Sequence, residues 1–176
     1  MEYKYKKGDY IVYDTYGVCK ITDIKQMSLI HGVKAQDYYI LSSVNFSGCT
    51  YYIPCGNETL LSKMRRPFNA DEINALLEAS KKIEFSWNDN RQQRCDFSKE
   101  IMQKGITPEL IALIRCFYER KVFLDKNEKK FSSTDENILT GCEKMINEEF
   151  AFSLKIDATT VPTYICEKIE SNNQHT

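Results

Sequence analysis

The spacing of apolar residues changes once along the chain, at Pro67, and that change restricts the possible folds more than any other feature. Before it, apolar and polar residues alternate in short runs. Tyr10-Ile11-Val12-Tyr13 is aromatic and β-branched, and Val18-Cys19-Lys20-Ile21-Thr22-Asp23-Ile24 alternates with period two. Tyr38-Tyr39-Ile40-Leu41 and Thr50-Tyr51-Tyr52-Ile53 continue the series, and Pro54 closes the last run because proline has no ladder donor. Tyr16-Gly17, His31-Gly32 and Asn45-Phe46-Ser47-Gly48 supply the turns. About five short strands joined by tight turns predict a small half-open barrel over residues 1–66.

After Pro67 the period becomes helical. Asn69 stands three residues before Glu72, the capping-box spacing, and Ile73, Leu76 and Leu77 follow as a stripe. A second helix is expected over about 88–103, closed by Gly105. Thr107-Pro108-Glu109 predicts a helix with Thr107 as N-cap and Pro108 at its first position, and Leu110, Leu113, Ile114 and Phe117 form its apolar face. Ser133-Thr134-Asp135-Glu136 opens a fourth helix, with Ile138, Leu139, Met145, Ile146 and Phe150 as its apolar positions. A short fifth is expected at about 160–170, with Ser171 to Thr176 fraying. The expected class is α+β: a β module at 1–66, then an all-α domain of about five helices at 67–176.

Net charge is −1, which excludes holding nucleic acid by bulk charge. The charge is nevertheless segregated. Residues 81–130 carry twelve basic and eight acidic side chains, while 131–176 carry three basic and eight acidic. The basic block, around Trp87, Arg91, Arg94 and Arg115, either faces an anion or is an ordinary solvated helix pair. The seven cysteines are an odd number with no C-x-x-C pair, which disfavours a disulfide framework or a zinc site. Reduced, mostly buried thiols are the expectation. No apolar run reaches the length of a membrane span, and none follows the basic N-terminus as in a secretory leader, so a cytoplasmic protein is expected.

Catalytic signatures are missing from the sequence. The two histidines, His31 and His175, lie outside any metal or triad context, and there is no phosphate-binding glycine loop or nucleophile elbow. Asp71-Glu72, Asp135-Glu136 and Glu148-Glu149 sit at helix starts or on helix faces, where carboxylates cap or solvate. The expectation is no enzyme, no cofactor and no metal.

Trp87, the only tryptophan, lies between Phe85-Ser86 and Asn88-Asp89-Asn90-Arg91. Two readings stand. It is a core plug at a helix entry, or an exposed wedge, flanked by Arg and Asn, that enters a minor groove while nearby Arg and Lys hold phosphates.

Gly8-Asp9-Tyr10-Ile11-Val12-Tyr13 followed by Tyr16-Gly17-Val18-Cys19-Lys20-Ile21 resembles the opening of the CarD/CdnL transcription regulators. It is also similar to the polymerase-docking module of transcription-repair coupling factors. Tyr38 to Leu41 and Tyr52-Ile53-Pro54 follow in the same order. The helical half resembles CarD-type proteins in Trp87, Arg91, Arg94, Gly105, Leu110 to Phe117 and Asp135 to Leu154. The resemblance implies a Tudor-like or SH3-like barrel that docks on the β subunit of bacterial RNA polymerase. It implies a helical domain that touches promoter DNA at the upstream edge of the bubble, with Trp87 as the wedge. The resulting DNA set is Trp87, Asn88, Arg91, Arg94 and Arg115. The polymerase set is Lys20, Thr22, Ile24, Lys25, Met27 and Tyr52, on a candidate edge strand from Lys20 to Met27. Met27 and Tyr52 stand where some members carry arginines, and Asn88-Asp89-Asn90 where members often carry basic residues. A monomer is expected, with weak and largely sequence-independent DNA contact. The alternative is a protein–protein adaptor with a buried Trp87 and no DNA contact.

Overall fold

The computed structural model describes residues 3–13, 16–29 and 34–170. The turn expected at His31-Gly32, the fraying expected at Ser171 to Thr176, and His175 lie outside them. Backbone contacts divide the chain into two compact units, Met1–Pro67 and Phe68–Thr176.

In the first unit β1 (Tyr10–Tyr13), β2 (Val18–Met27), β3 (Gln36–Ser43), β4 (Thr50–Pro54) and β5 (Met64–Arg65) form one antiparallel sheet in the order β4-β3-β2-β1-β5. β4 and β5 are its two edges, so among the described residues the sheet is open. A short helix, α1 (Glu58–Ser62), precedes β5. Periodicity over 1–66 pointed only to strands, and five residues capped by Asn57 are too few to display a helical stripe.

One face of the sheet is apolar. Ile11, Tyr13, Cys19, Ile21, Tyr39, Leu41, Ile53 and Met64 are buried together. The alternation expected through Ile24 is interrupted by a bulge. Ile21 pairs with Leu41 but Asp23 pairs with Ile40, leaving Thr22 as the extra residue. The bulge shifts the phase by one residue, so Ile24 opposite Tyr39 packs against the core and Asp23 turns outward. Gly48, at φ +83°, takes the β3–β4 turn through a backbone region that side chains disfavour.

The second unit contains α2 (Ala70–Lys81), α3 (Arg91–Lys104), α4 (Thr107–Lys126), α5 (Ser133–Leu154), a 3₁₀ turn at Ala158–Thr160 and α6 (Val161–Glu170). The Asn69–Glu72 capping box is formed in both directions, and Gly105 closes α3 at φ +62°. α3 starts at Arg91 rather than near 88, because the Asn90 side chain takes the Gln93 N–H and so becomes the cap. At α4 the expectation shifts by one residue. Ile106 is the N-cap, with no side-chain bond, and Thr107 is already helical and buried. α5 is capped by Ser132, whose hydroxyl accepts from the Asp135 N–H.

The core joins Ile73 and Leu77 of α2, Ile101 of α3, Leu110, Ile111, Leu113 and Phe117 of α4, and Leu139, Ile146 and Phe150 of α5. Four successive buried residues, Leu110 to Leu113, show that α4 is covered on more than one side.

Candidate functional site

Two arrangements carry chemistry, one in each unit. In the sheet, register places Lys20, Lys25, Met27 and Tyr52 on the outward face, opposite the apolar core. Tyr52 lies across from Ile40 and is 44% exposed. The Lys20 ammonium lies 5.5 Å from the Tyr10 ring centroid. Asp23 receives Lys7 at 3.3 Å and Lys25 at 3.2 Å, and hydrogen bonds from Lys25 and Lys7 hold its carboxyl below the usual range. Two of the expected docking residues have structural duties. Ile24 packs on the core, and Thr22 is the bulge residue whose hydroxyl donates to the Ile40 carbonyl.

The candidate edge strand needs a correction. β2 is an interior strand, and its first part is covered: Val18 to Lys20 pair with β1, and Ile21 exchanges backbone bonds with Gly8 and Asp9. Beyond the bulge, Asp23 to Met27 pair with β3 alone among the described residues. β1 ends before reaching them, so this half of β2 presents one open edge. Backbone donors and acceptors on such an edge can receive another strand.

In the helical unit Trp87 is half-buried between solvent and core. Its ring lies 5.2 Å from Phe117 at an edge-on 68° and 6.4 Å from Phe131. Two guanidinium carbons approach it, Arg94 at 4.3 Å and Arg120 at 5.3 Å from the ring centroid. The indole N–H donates to Asp89 at 3.1 Å. Arg120 also lies 5.2 Å from the ring of Phe123, which is 53% exposed.

Four of the DNA candidates are spent within the fold or partly so. Arg94 is buried, binds Asp135 through Nε at 2.9 Å and Nη2 at 3.0 Å, and donates Nη1 to the Asn88 carbonyl. A guanidinium so engaged is not a phosphate clamp. Burial pushes the Asp135 carboxyl up, but hydrogen bonds from Arg94 and Ser132 and the charges of Arg94 and Arg91 outweigh it, leaving it below the ordinary value. Arg115 donates to the Ile83 carbonyl and tethers the segment between α2 and α3. Arg91 is exposed and donates to the Thr134 hydroxyl, and exposed Asn88 donates to Gln93. Sequence reasoning missed Arg120, Phe123 and Phe131. The one available signal was the i, i+3 placement of Arg120 and Phe123 on a helix.

A groove of about 910 Å³ opens elsewhere in this unit, with Phe85, Ile114, Ile165 and Ile169 among its apolar walls and Arg115 and Glu143 on its lining. Burial raises the Glu143 carboxyl and the thiol of Cys116, which also lines it. None of the seven cysteines is in a disulfide; Cys19, Cys116 and Cys142 are buried, whereas Cys49 and Cys166 are exposed. Among the described residues no three His, Cys, Asp or Glu side chains gather as metal ligands, and no helix is long and apolar enough to cross a membrane.

Among the described residues, then, the first unit is an open antiparallel sheet in which half of β2, Asp23 to Met27, is paired on one side only, and a helical unit follows it in the chain. Residues 5–66 match the model of the CarD-like/TRCF RID domain family. The N-terminal unit is a CarD-like RNA polymerase-interacting domain, and the match ends before the helical unit begins. No match to a curated protein was found.

Proposed function

We propose that the chain is a non-catalytic transcription regulator that docks on the β subunit of RNA polymerase and contacts promoter DNA at the upstream edge of the melted bubble, stabilising the open complex. The observation that carries the reading is the family match over residues 5–66, the segment in which β2 leaves Asp23 to Met27 open on one edge. Strand addition at that edge supplies main-chain hydrogen bonds, and the outward side chains Lys25, Met27 and Tyr52 supply selectivity. A Tudor-like curl of the sheet belongs to the same reading.

For the helical unit, support comes from the rings and cations around Trp87. Arg120, Arg91 and the edge of Trp87 replace Arg94 and Arg115 as the groups offered to DNA. Apolar rings that enter a distorted step and cations that hold phosphates are a known minor-groove device. The absence of bulk positive charge fits a protein brought to DNA by polymerase, acting as a monomer in the cytoplasm.

The test is retention of the full chain on RNA polymerase β-subunit fragments, followed by open-complex lifetime on several promoters. Lack of retention rejects the docking reading, and lifetimes unaffected by the protein reject the DNA reading. A protein–protein adaptor is the second reading. The packing of Trp87 on Phe117 favours it. Strong protection of Trp87 fluorescence from a soluble quencher, unchanged by DNA, would select the adaptor.

A further inference from the structure

Asp89 uses one carboxylate oxygen twice. Its Oδ1 accepts from the Trp87 indole N–H at 3.1 Å and from Arg120 Nη2 at 3.5 Å. The side chain that does this is 87% exposed. The two donors are positioned by other contacts. Trp87 is seated on Phe117 and Phe131, and the Arg120 guanidinium rests over the rings of Trp87 and Phe123.

Asp89 has no evident duty in the fold. The cap of α3 is Asn90, whose side chain takes the Gln93 N–H. An exposed ion pair contributes little to stability. The carboxylate is therefore a replaceable anion over a preformed pair of donors, one neutral and one cationic. A phosphodiester oxygen carries the same charge and accepts the same hydrogen bonds, and guanidinium is well suited to it.

We infer that the Trp87 N–H and the Arg120 guanidinium form a phosphate position for a nucleic-acid backbone, and that Asp89 is its resident competitor. This deepens the DNA reading and rests on it. The backbone phosphate must displace Asp89 to reach the pair, so Asp89 lowers DNA affinity. It makes stable engagement depend on delivery by polymerase. The reciprocal consequence is that removal of its charge turns a dependent binder into a more independent one.

The experiment follows the fluorescence of the single tryptophan while the full chain is titrated with a short duplex containing a melted bubble. The proteins are the wild type, Asp89→Asn, Arg120→Gln and the double variant, with thermal midpoints measured alongside. Asp89→Asn is expected to bind about three- to tenfold tighter, since an exposed ion pair shifts an equilibrium by up to about fivefold and a repulsion is also removed. Arg120→Gln should bind more weakly, and most of the gain from Asp89→Asn should vanish in its background. Wild-type binding that Asp89→Asn leaves unchanged, or a gain that survives in full without Arg120, overturns the inference while the DNA reading stands. Failure of all four proteins to bind, even at low salt, overturns both.

Discussion

Arg94 rests its guanidinium 4.3 Å from the centre of the Trp87 ring while gripping Asp135 through two nitrogens. This stack ties the entry of α3 to the start of α5 and sets the position of the only tryptophan. An arginine that reads in sequence as a DNA contact is thereby a part that positions the tryptophan.

Breaking that pair should be costly. Asp135→Ala leaves the buried Arg94 charge without its carboxylate, and removal of one partner of a buried pair costs about 3–5 kcal/mol. Urea unfolding measures this. A loss below about 1 kcal/mol would show that the pair contributes little to the fold.

The same carboxyl predicts acid sensitivity. Its folded pKa lies below the ordinary value. The sign follows: its stabilisation is complete above the unfolded pKa of about 3.9 and is lost as pH falls through the folded value. The thermal midpoint of the wild type should therefore fall on acidification below about pH 5, more steeply than that of Asp135→Asn. Parallel curves would contradict this.

Tyr52→Ala tests the outward sheet face. The side chain is exposed, so the fold should be unaffected. A tyrosine at the centre of an interface contributes about 2 kcal/mol, so affinity for β-subunit fragments should fall roughly 30-fold. Unchanged affinity places the docking surface elsewhere.

Trp87→Phe separates packing from the indole N–H. The phenyl ring keeps much of the contact with Phe117, so stability should drop by only about 1 kcal/mol. Open complexes formed with the variant should be shorter-lived than with wild type, because the N–H is gone. Equal lifetimes would leave the ring with a packing role only.

The cysteines should divide by exposure. Cys49 and Cys166 should be alkylated in the native protein, while burial pushes the Cys142 thiol up to about 12 and keeps it inert near neutral pH. Mass spectrometry after short native labelling checks the pattern, and early labelling of Cys142 would refute it.

Local rules were readable in the chain itself. The Asn69–Glu72 capping box, the left-handed Gly105 and the apolar stripe of α4 follow from spacing alone, because each involves residues within a turn or two of one another. The Thr22 bulge was not readable. Period two assigns Ile24 to the core face only if the phase is known after the extra residue, and that is decided by the pairing with β3. Among the candidate site residues, Lys20, Lys25, Met27 and Tyr52 share the outward face, whereas Ile24 and Arg94 are committed inward.

The sequence by itself determined that alternating strands give way to long helices after Pro67, since apolar periodicity and caps act over a few residues, while the short α1 and the first residues of α3 and α4 escaped it. Only the tertiary structure decided what the charged groups do. Arg94 meets Asp135 across 41 positions and Arg120 meets Asp89 across 31. A guanidinium carries the same charge whether it faces phosphate or a buried carboxylate, and the packing of α3, α4 and α5 selects its partner.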